Sequence, residues 1–141
     1  MTYDIRLKRI YSEAESEDGA RILVDRLWPR GKRRESLRLT DWYRDASPSP
    51  GLRRAWHQEE ISRAVFVRRY RWELNDAAEA LVPLLRHARR GRLTLLSAAR
   101  DLEASHLPVL REALLEALAA EDASDRDDPA SPPCYAGDKG R

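Results

Sequence analysis

Cysteine is almost missing from this chain: the one residue, Cys134, stands in a stretch rich in Pro and Ser. A single thiol closes no internal disulfide and builds no thiolate metal site, so disulfide scaffolds and zinc ribbons are excluded and redox chemistry is not expected. Long hydrophobic runs are absent as well. None approaches the ~20 residues that a membrane-spanning helix requires, and the opening MTYDIRLKRI lacks the continuous apolar stretch of a signal peptide. The expectation is a cytoplasmic protein with no membrane partner. There is no Gly-rich phosphate loop, no Gly-x-Ser-x-Gly elbow and no dinucleotide fingerprint, so no cofactor is expected. Lysine is scarce: three of the 26 basic residues are Lys, and almost every cation is therefore a guanidinium.

What is present fits one ionic globular domain. A chain of 141 residues suits a single core, and with 35% charged residues its surface must be densely ionic. The net charge of +2 conceals segregation: residues 20–100 carry nineteen basic and nine acidic groups, whereas the flanking segments are acidic. Such a central stretch can steer an anion, a phosphorylated metabolite or nucleic acid toward the protein, or can be no more than a solvated face.

The hydrophobic pattern gives the order of elements. Residues 3–9, YDIRLKR, alternate as a half-buried strand does, and the acidic SEAESEDG that follows reads as a loop or one helical turn. Ile22-Leu23-Val24 and Leu93-Thr94-Leu95-Leu96 are compact runs of the kind covered on both faces of a parallel sheet. Leu27-Trp28-Pro29-Arg30-Gly31 must be a shaped loop, because Pro and Gly interrupt strand and helix alike. Helices are expected at Leu37–Trp42, with Thr40 or Asp41 as caps, and near Leu52–Trp56. A third falls within 58–74, on a stripe of Ile61, Val65, Arg68 and Trp72 with Tyr70 and Leu74 alongside. A fourth spans 76–90 behind an Asp76 cap, and the last runs over about 104–120, with Pro108 in its first turn. Trp42, Trp56 and Trp72, with Tyr43 and Tyr70, are expected to anchor helices. The fold class is therefore α/β: a small, mainly parallel sheet of about three strands covered by helices, helix-rich overall. The folded domain is expected over 1–121 and a disordered polar tail over 122–141.

LVDRLWPRG, DWYRDASPSPGLRRAWHQ, FVRRYRWEL and LTLLSAARD occur in that order, and together they resemble the YeaO-like family, number 488 in the series of domains of unknown function. The resemblance covers residues 4–118. Members often read AAKD followed by an Asn-His pair, where this chain has Ala98-Ala99-Arg100-Asp101 and then Ser105-His106. Longer relatives carry cysteines around this strand exit, near the place of Ser97, so a thiol-dependent activity in them would not transfer. The resemblance implies no chemistry.

Ligands of open α/β sheets bind outside the carboxyl ends of the strands. If the strands ending at Asp25 and Leu96 are parallel neighbours, Asp25, Arg26, Trp28 and Arg30 face Ser97, Arg100, Asp101 and His106 across one crevice. Arg26, Arg30 and Arg100 would then offer forked donors to a phosphate or carboxylate. The bland alternatives are a structural Asp25 ion pair and a Trp28-Pro29 plug sealing the sheet. His106 could carry a proton near neutral pH. Metal binding is not expected, because no second His or Cys stands at ligand spacing, and His57 and His87 should be peripheral. No catalytic residue is assigned. The leading reading is an anion- or phosphate-binding domain, with action as an enzyme on a phosphorylated or nucleotide-like small molecule left open. The alternative is a non-enzymatic nucleic-acid-binding or regulatory module using the arginines of 63–71 and 86–92, although no DNA- or RNA-binding motif accompanies them.

Overall fold

A computed structural model describes residues 2–127. Four parallel strands, β1 (Ile5–Arg9), β2 (Ala20–Leu23), β3 (Asp41–Trp42) and β4 (Leu93–Ser97), form one sheet in the order β1-β4-β2-β3. The helices are α1 (Arg34–Leu37), α2 (Pro50–His57), α3 (Arg63–Asp76), α4 (Val82–Arg90) and α5 (Leu107–Asp127), with 3-10 turns at Ser16–Asp18 and Ala78–Leu81. β4 is central and every one of its residues is buried. It pairs with β1 through Ile5↔Leu93 to Arg9↔Ser97, and with β2 through Ala20↔Leu93 to Leu23↔Leu96.

The alternation of side chains divides the core in two. Ile5, Ile22, Val24, Leu93 and Leu95 face the helices, where they meet Phe66, Tyr70, Leu84, Leu110 and Leu114 in the main cluster. Leu23 and Leu96 face the other way and join Ile10 and Leu37 in a smaller cluster, capped by Trp28 and Trp42. The same second face carries a buried ion group. Asp18 binds Arg21 Nη1 at 2.6 Å and Lys8 Nζ at 3.1 Å, and its backbone oxygen accepts from Thr94 Oγ1 at 2.6 Å. Arg21 also donates to the Leu37 carbonyl at 2.9 Å, which fixes the end of α1.

Local signals set two of the five helix starts. Ser49 Oγ accepts from Leu52 N–H ahead of α2, and Ser62 Oγ accepts from Val65 N–H ahead of α3. Several expectations fail. Leu37–Trp42 is not a helix: Arg38 turns into the left-handed region (φ 51°), ending α1 after one turn, and Asp41–Trp42 pairs with β2 as an edge strand. Asp76 closes α3 and caps nothing after it, since Ala77 precedes a 3-10 turn and α4 starts at Val82. On α3 the inward stripe is Phe66, Tyr70 and Leu74, so Trp72, two residues from Tyr70 and thus on the far side of the helix, is 65% exposed. The last helix begins at Leu107 and continues to Asp127, past the position where the tail was expected to begin; residues 128–141 of that expected tail lie outside the described residues. No helix among the described residues is long and apolar enough to cross a membrane.

Two tests follow from the Asp18 corner. Gly19 has φ +67°, and a Cβ there would come within 2.3 Å of the Arg92 carbonyl oxygen. Gly19→Ala should cost at least ~1–3 kcal/mol in urea denaturation, because neither strain nor overlap can be relieved without moving the backbone beside β4. Burial tends to raise the Asp18 carboxyl pKa, but the Glu15 N–H, Lys8 and Arg21 outweigh it and hold the group below its usual value. The stability this contributes is complete above the ordinary Asp pKa of about 3.9 and is lost as pH falls through the depressed folded value. Asp18→Asn should therefore cost on the order of 3 kcal/mol at pH 7, and its difference from wild type should shrink in acid.

Candidate functional site

The carboxyl ends of β2 and β4 lie side by side, and the chain leaving each is tied to the other. Asp25, two residues beyond β2, accepts from Ser97 Oγ on Oδ1 and from Ala98 N–H on Oδ2, both at 2.8 Å. Ser97 Oγ in turn accepts from Ala99 N–H at 3.1 Å. Ser97 is 1% exposed, so its hydroxyl is a structural donor and not an accessible nucleophile.

His106 approaches from the turn ahead of α5. Its Nε2 donates to the Val24 carbonyl at 2.5 Å, lies 3.6 Å from Asp25 Oδ1, and the ring meets Tyr70 edge-on at 6.0 Å. Burial lowers the imidazole pKa against the pull of Asp25, and burial raises that of Asp25 against His106 and its two hydrogen bonds. The imidazole is therefore neutral at pH 7, with its proton on the nitrogen facing Val24. The turn that places it is itself fixed: Ser105 Oγ donates to the Leu102 carbonyl at 2.6 Å and accepts from Leu107 N–H, while Arg63 donates to the carbonyls of Ala104 and Ser105 at 2.6 and 2.9 Å.

Above this floor opens a pocket of about 530 Å³, a size typical of small-molecule sites. All eight residues singled out from the sequence line it: Asp25, Arg26, Trp28, Arg30, Ser97, Arg100, Asp101 and His106. Their states differ. Arg26 donates to the carbonyls of Pro48 and Ser47 at 3.1 and 3.3 Å, so part of its fork holds the loop ahead of α2. Trp28 donates to the Lys32 carbonyl and packs against Trp42 with ring centroids 5.1 Å apart, largely as a plug. Asp101 accepts from Glu103 N–H, closing a turn. Arg30 and Arg100 are exposed and make no side-chain hydrogen bond among the described residues.

Sequence reasoning missed Arg53, Trp56, Phe66 and Ser47, which also line the pocket. Arg53 on α2 makes no side-chain hydrogen bond among the described residues, and its charge acts on Asp25. Trp56 stacks on Phe66 at 4.9 Å and, with it, forms an apolar wall. Ser47, Arg53 and Trp56 stand in DASPSPGLRRAWHQ and Phe66 in FVRRYRWEL, but only the packing of α2 and α3 over the strand ends brings them to one pocket. His57, expected to be peripheral, lines the mouth because it ends that same helix. Among the described residues no cluster of three or more His, Cys, Asp or Glu could hold a metal ion.

The arginines of 63–71 and 86–92 are partly engaged within the protein. Arg63 holds the α5 turn, Arg71 pairs with Glu116, Arg89 pairs with Glu121 and Asp122, and Arg92 pairs with Asp4.

The chain is a small α/β domain of the open-sheet class, with a polar pocket at the exits of its two inner strands. The family model described as "Inactive DUF488-N3 subclade" matches residues 4–136. The uncharacterized protein YeaO of Escherichia coli (strain K12) is 40% identical over 109 residues, 77% of this chain and 95% of that protein. The uncharacterized protein Rv3073c of Mycobacterium tuberculosis (strain ATCC 25618 / H37Rv) is 37% identical over 110 residues, 78% of this chain and 92% of its own length. The chain belongs to the YeaO-like DUF488 family, as its LVDRLWPRG block implied. No solved structure matches it.

Removing the Ser97 hydroxyl deletes a hydrogen bond to the charged form of Asp25, so the Asp25 pKa should rise further in Ser97→Ala. Carboxyl-carbon NMR titration of the two proteins reads this directly, and an unchanged Asp25 midpoint would contradict the arrangement.

Proposed function

We propose that this domain binds a small anionic molecule, a phosphate ester or a carboxylate, in the pocket at the strand exits and does so without catalysing its conversion. The observation that carries the reading is the set of three guanidiniums, Arg30, Arg53 and Arg100, around one pocket without hydrogen-bond partners among the described residues. In a chain where Arg21, Arg63, Arg71, Arg89 and Arg92 are all bonded internally, these three forks are available to a ligand.

Two observations favour binding over catalysis. The Ser97 hydroxyl is buried and donates into Asp25, and the His106 Nε2 proton is committed to a backbone carbonyl, so neither forms a nucleophile and base pair. The family description carries the word inactive, which accords with such a site.

The test is a thermal-shift and calorimetric screen with inorganic phosphate, phosphosugars, nucleotides and short oligonucleotides, with the Arg30→Ala, Arg100→Ala double variant in parallel. A small anion at 100 times its Kd should stabilise wild type by about 2.7 kcal/mol, and the shift should vanish in the double variant while its unliganded Tm stays near that of wild type. Shifts with oligonucleotides alone, falling with salt at a log–log slope of about −0.9 per phosphate on duplex DNA, would instead favour a nucleic-acid module.

A further inference from the structure

The pocket is cationic at its mouth but has a carboxylate at its floor, and a simple anion answers only the first. Arg30 and Arg100 line it as exposed residues, whereas the side chains of Asp25 and His106 are 16% and 12% exposed. Each Asp25 oxygen accepts one hydrogen bond and keeps a further lone pair. Among the described residues no Lys or Arg forms a salt bridge with Asp25. The one basic side chain within 4 Å of it among the described residues, His106, directs its Nε2 proton to Val24. Arg53 acts on it only from beyond salt-bridge distance, so this buried carboxylate, hydrogen-bonded by neutral donors alone, lacks the directly paired counter-charge that usually accompanies it.

A second unfilled group lies on the same pocket. Ser47 is 6% exposed, and its Oγ has no hydrogen-bond partner, the only such buried side-chain atom among the described residues. It stands in the loop that Arg26 holds, between the pocket that Asp25 lines and a smaller one beside Tyr70 and Glu73. A buried hydroxyl without a partner in the chain is ordinarily satisfied by an ordered water or a bound polar group. Trp28, Trp56 and Phe66 contribute apolar wall around these polar groups. An anionic group brought down to Asp25 would meet like charge, whereas an N–H donor there would complete both the carboxylate and the pocket's charge pattern.

We infer that the ligand is an amine-bearing anion, an amino phosphate ester or an amino acid, whose ammonium group donates to Asp25 at the floor while its phosphate or carboxylate meets Arg30 and Arg100 at the mouth. This rests on the anion-binding reading and adds the polarity with which the ligand enters. Asp25 is thereby the specificity-determining residue and the arginines supply the general attraction.

Matched ligand pairs separate the two statements. Calorimetry on the full chain would compare O-phosphoethanolamine with ethyl phosphate, and β-alanine with propionate. The aminated member of at least one pair should bind about tenfold or more tightly, the factor expected of one hydrogen bond to a charged group. The pair that shows it tells phosphate from carboxylate. Asp25→Asn should abolish the preference while leaving the deaminated member's affinity at or above its wild-type value. Equal affinities within both pairs would overturn this inference and leave the anion site standing; no binding of any of the four would overturn both. A preference that survives in folded Asp25→Asn also overturns it. The wild-type comparison stands by itself if that variant fails to fold.

Discussion

The two hydrogen bonds of Asp25 are the interaction on which the pocket end of this molecule depends. β2 and β4 are adjacent parallel strands, and their ladder ends where the chains must diverge into loops. Asp25 extends the connection past that point through Ser97 Oγ and Ala98 N–H, and His106 adds α5 to the same corner through the Val24 carbonyl. Charge-assisted bonds of this kind contribute about 1.5–3 kcal/mol each when satisfied, and leaving one partner buried alone costs a comparable amount. The same corner leaves the Asp25 carboxylate without a Lys or Arg salt bridge among the described residues, its closest basic group being His106 at 3.6 Å.

A second aspartate pins β2 from its other end with a different outcome. Asp18 is closed on itself: Lys8 and Arg21 neutralise it, Thr94 binds its backbone oxygen, and Arg21 reaches on to α1. Nothing there is left for a ligand. The contrast explains how a chain with so many arginines can nevertheless present a defined site. Most of the guanidiniums described above are spent on carbonyls and carboxylates that hold turns and helices in place, and the remainder at the pocket are set apart by having no such partner.

Much of this was legible from the chain. The two compact apolar runs announced inner strands of a parallel sheet, since only a strand covered on both faces tolerates such continuity. The Pro- and Gly-containing exit after β2 and the small, polar exit after β4 marked where the chain leaves the sheet, and the eight residues chosen from them and from the start of the last helix lie around one pocket. The misreadings share a cause. Leu37–Trp42 has helical spacing but is too short for periodicity to decide, and the free edge of β2 captured Asp41–Trp42 as a strand. On α3 the sequence offers apolar or aromatic residues on two stripes, and the register is set by which of them the sheet and α5 can accept, leaving Phe66, Tyr70 and Leu74 inside and Trp72 in solvent.

The sequence by itself determined the family, the α/β class, the inner strands and the Arg-rich character, because these depend on composition, short-range periodicity and a distinctive block of residues. Only the tertiary structure decided which arginines are structural and which face a pocket, that α2 supplies Arg53, Trp56 and Ser47's neighbouring loop to a site made by β2 and β4, and that His106 is a buried donor to Val24. The physical reason is that a guanidinium or an imidazole has the same chemistry in any sequence context. Its role is fixed by the carbonyl or carboxylate within three ångströms of it, and those partners are contributed by segments tens of residues away.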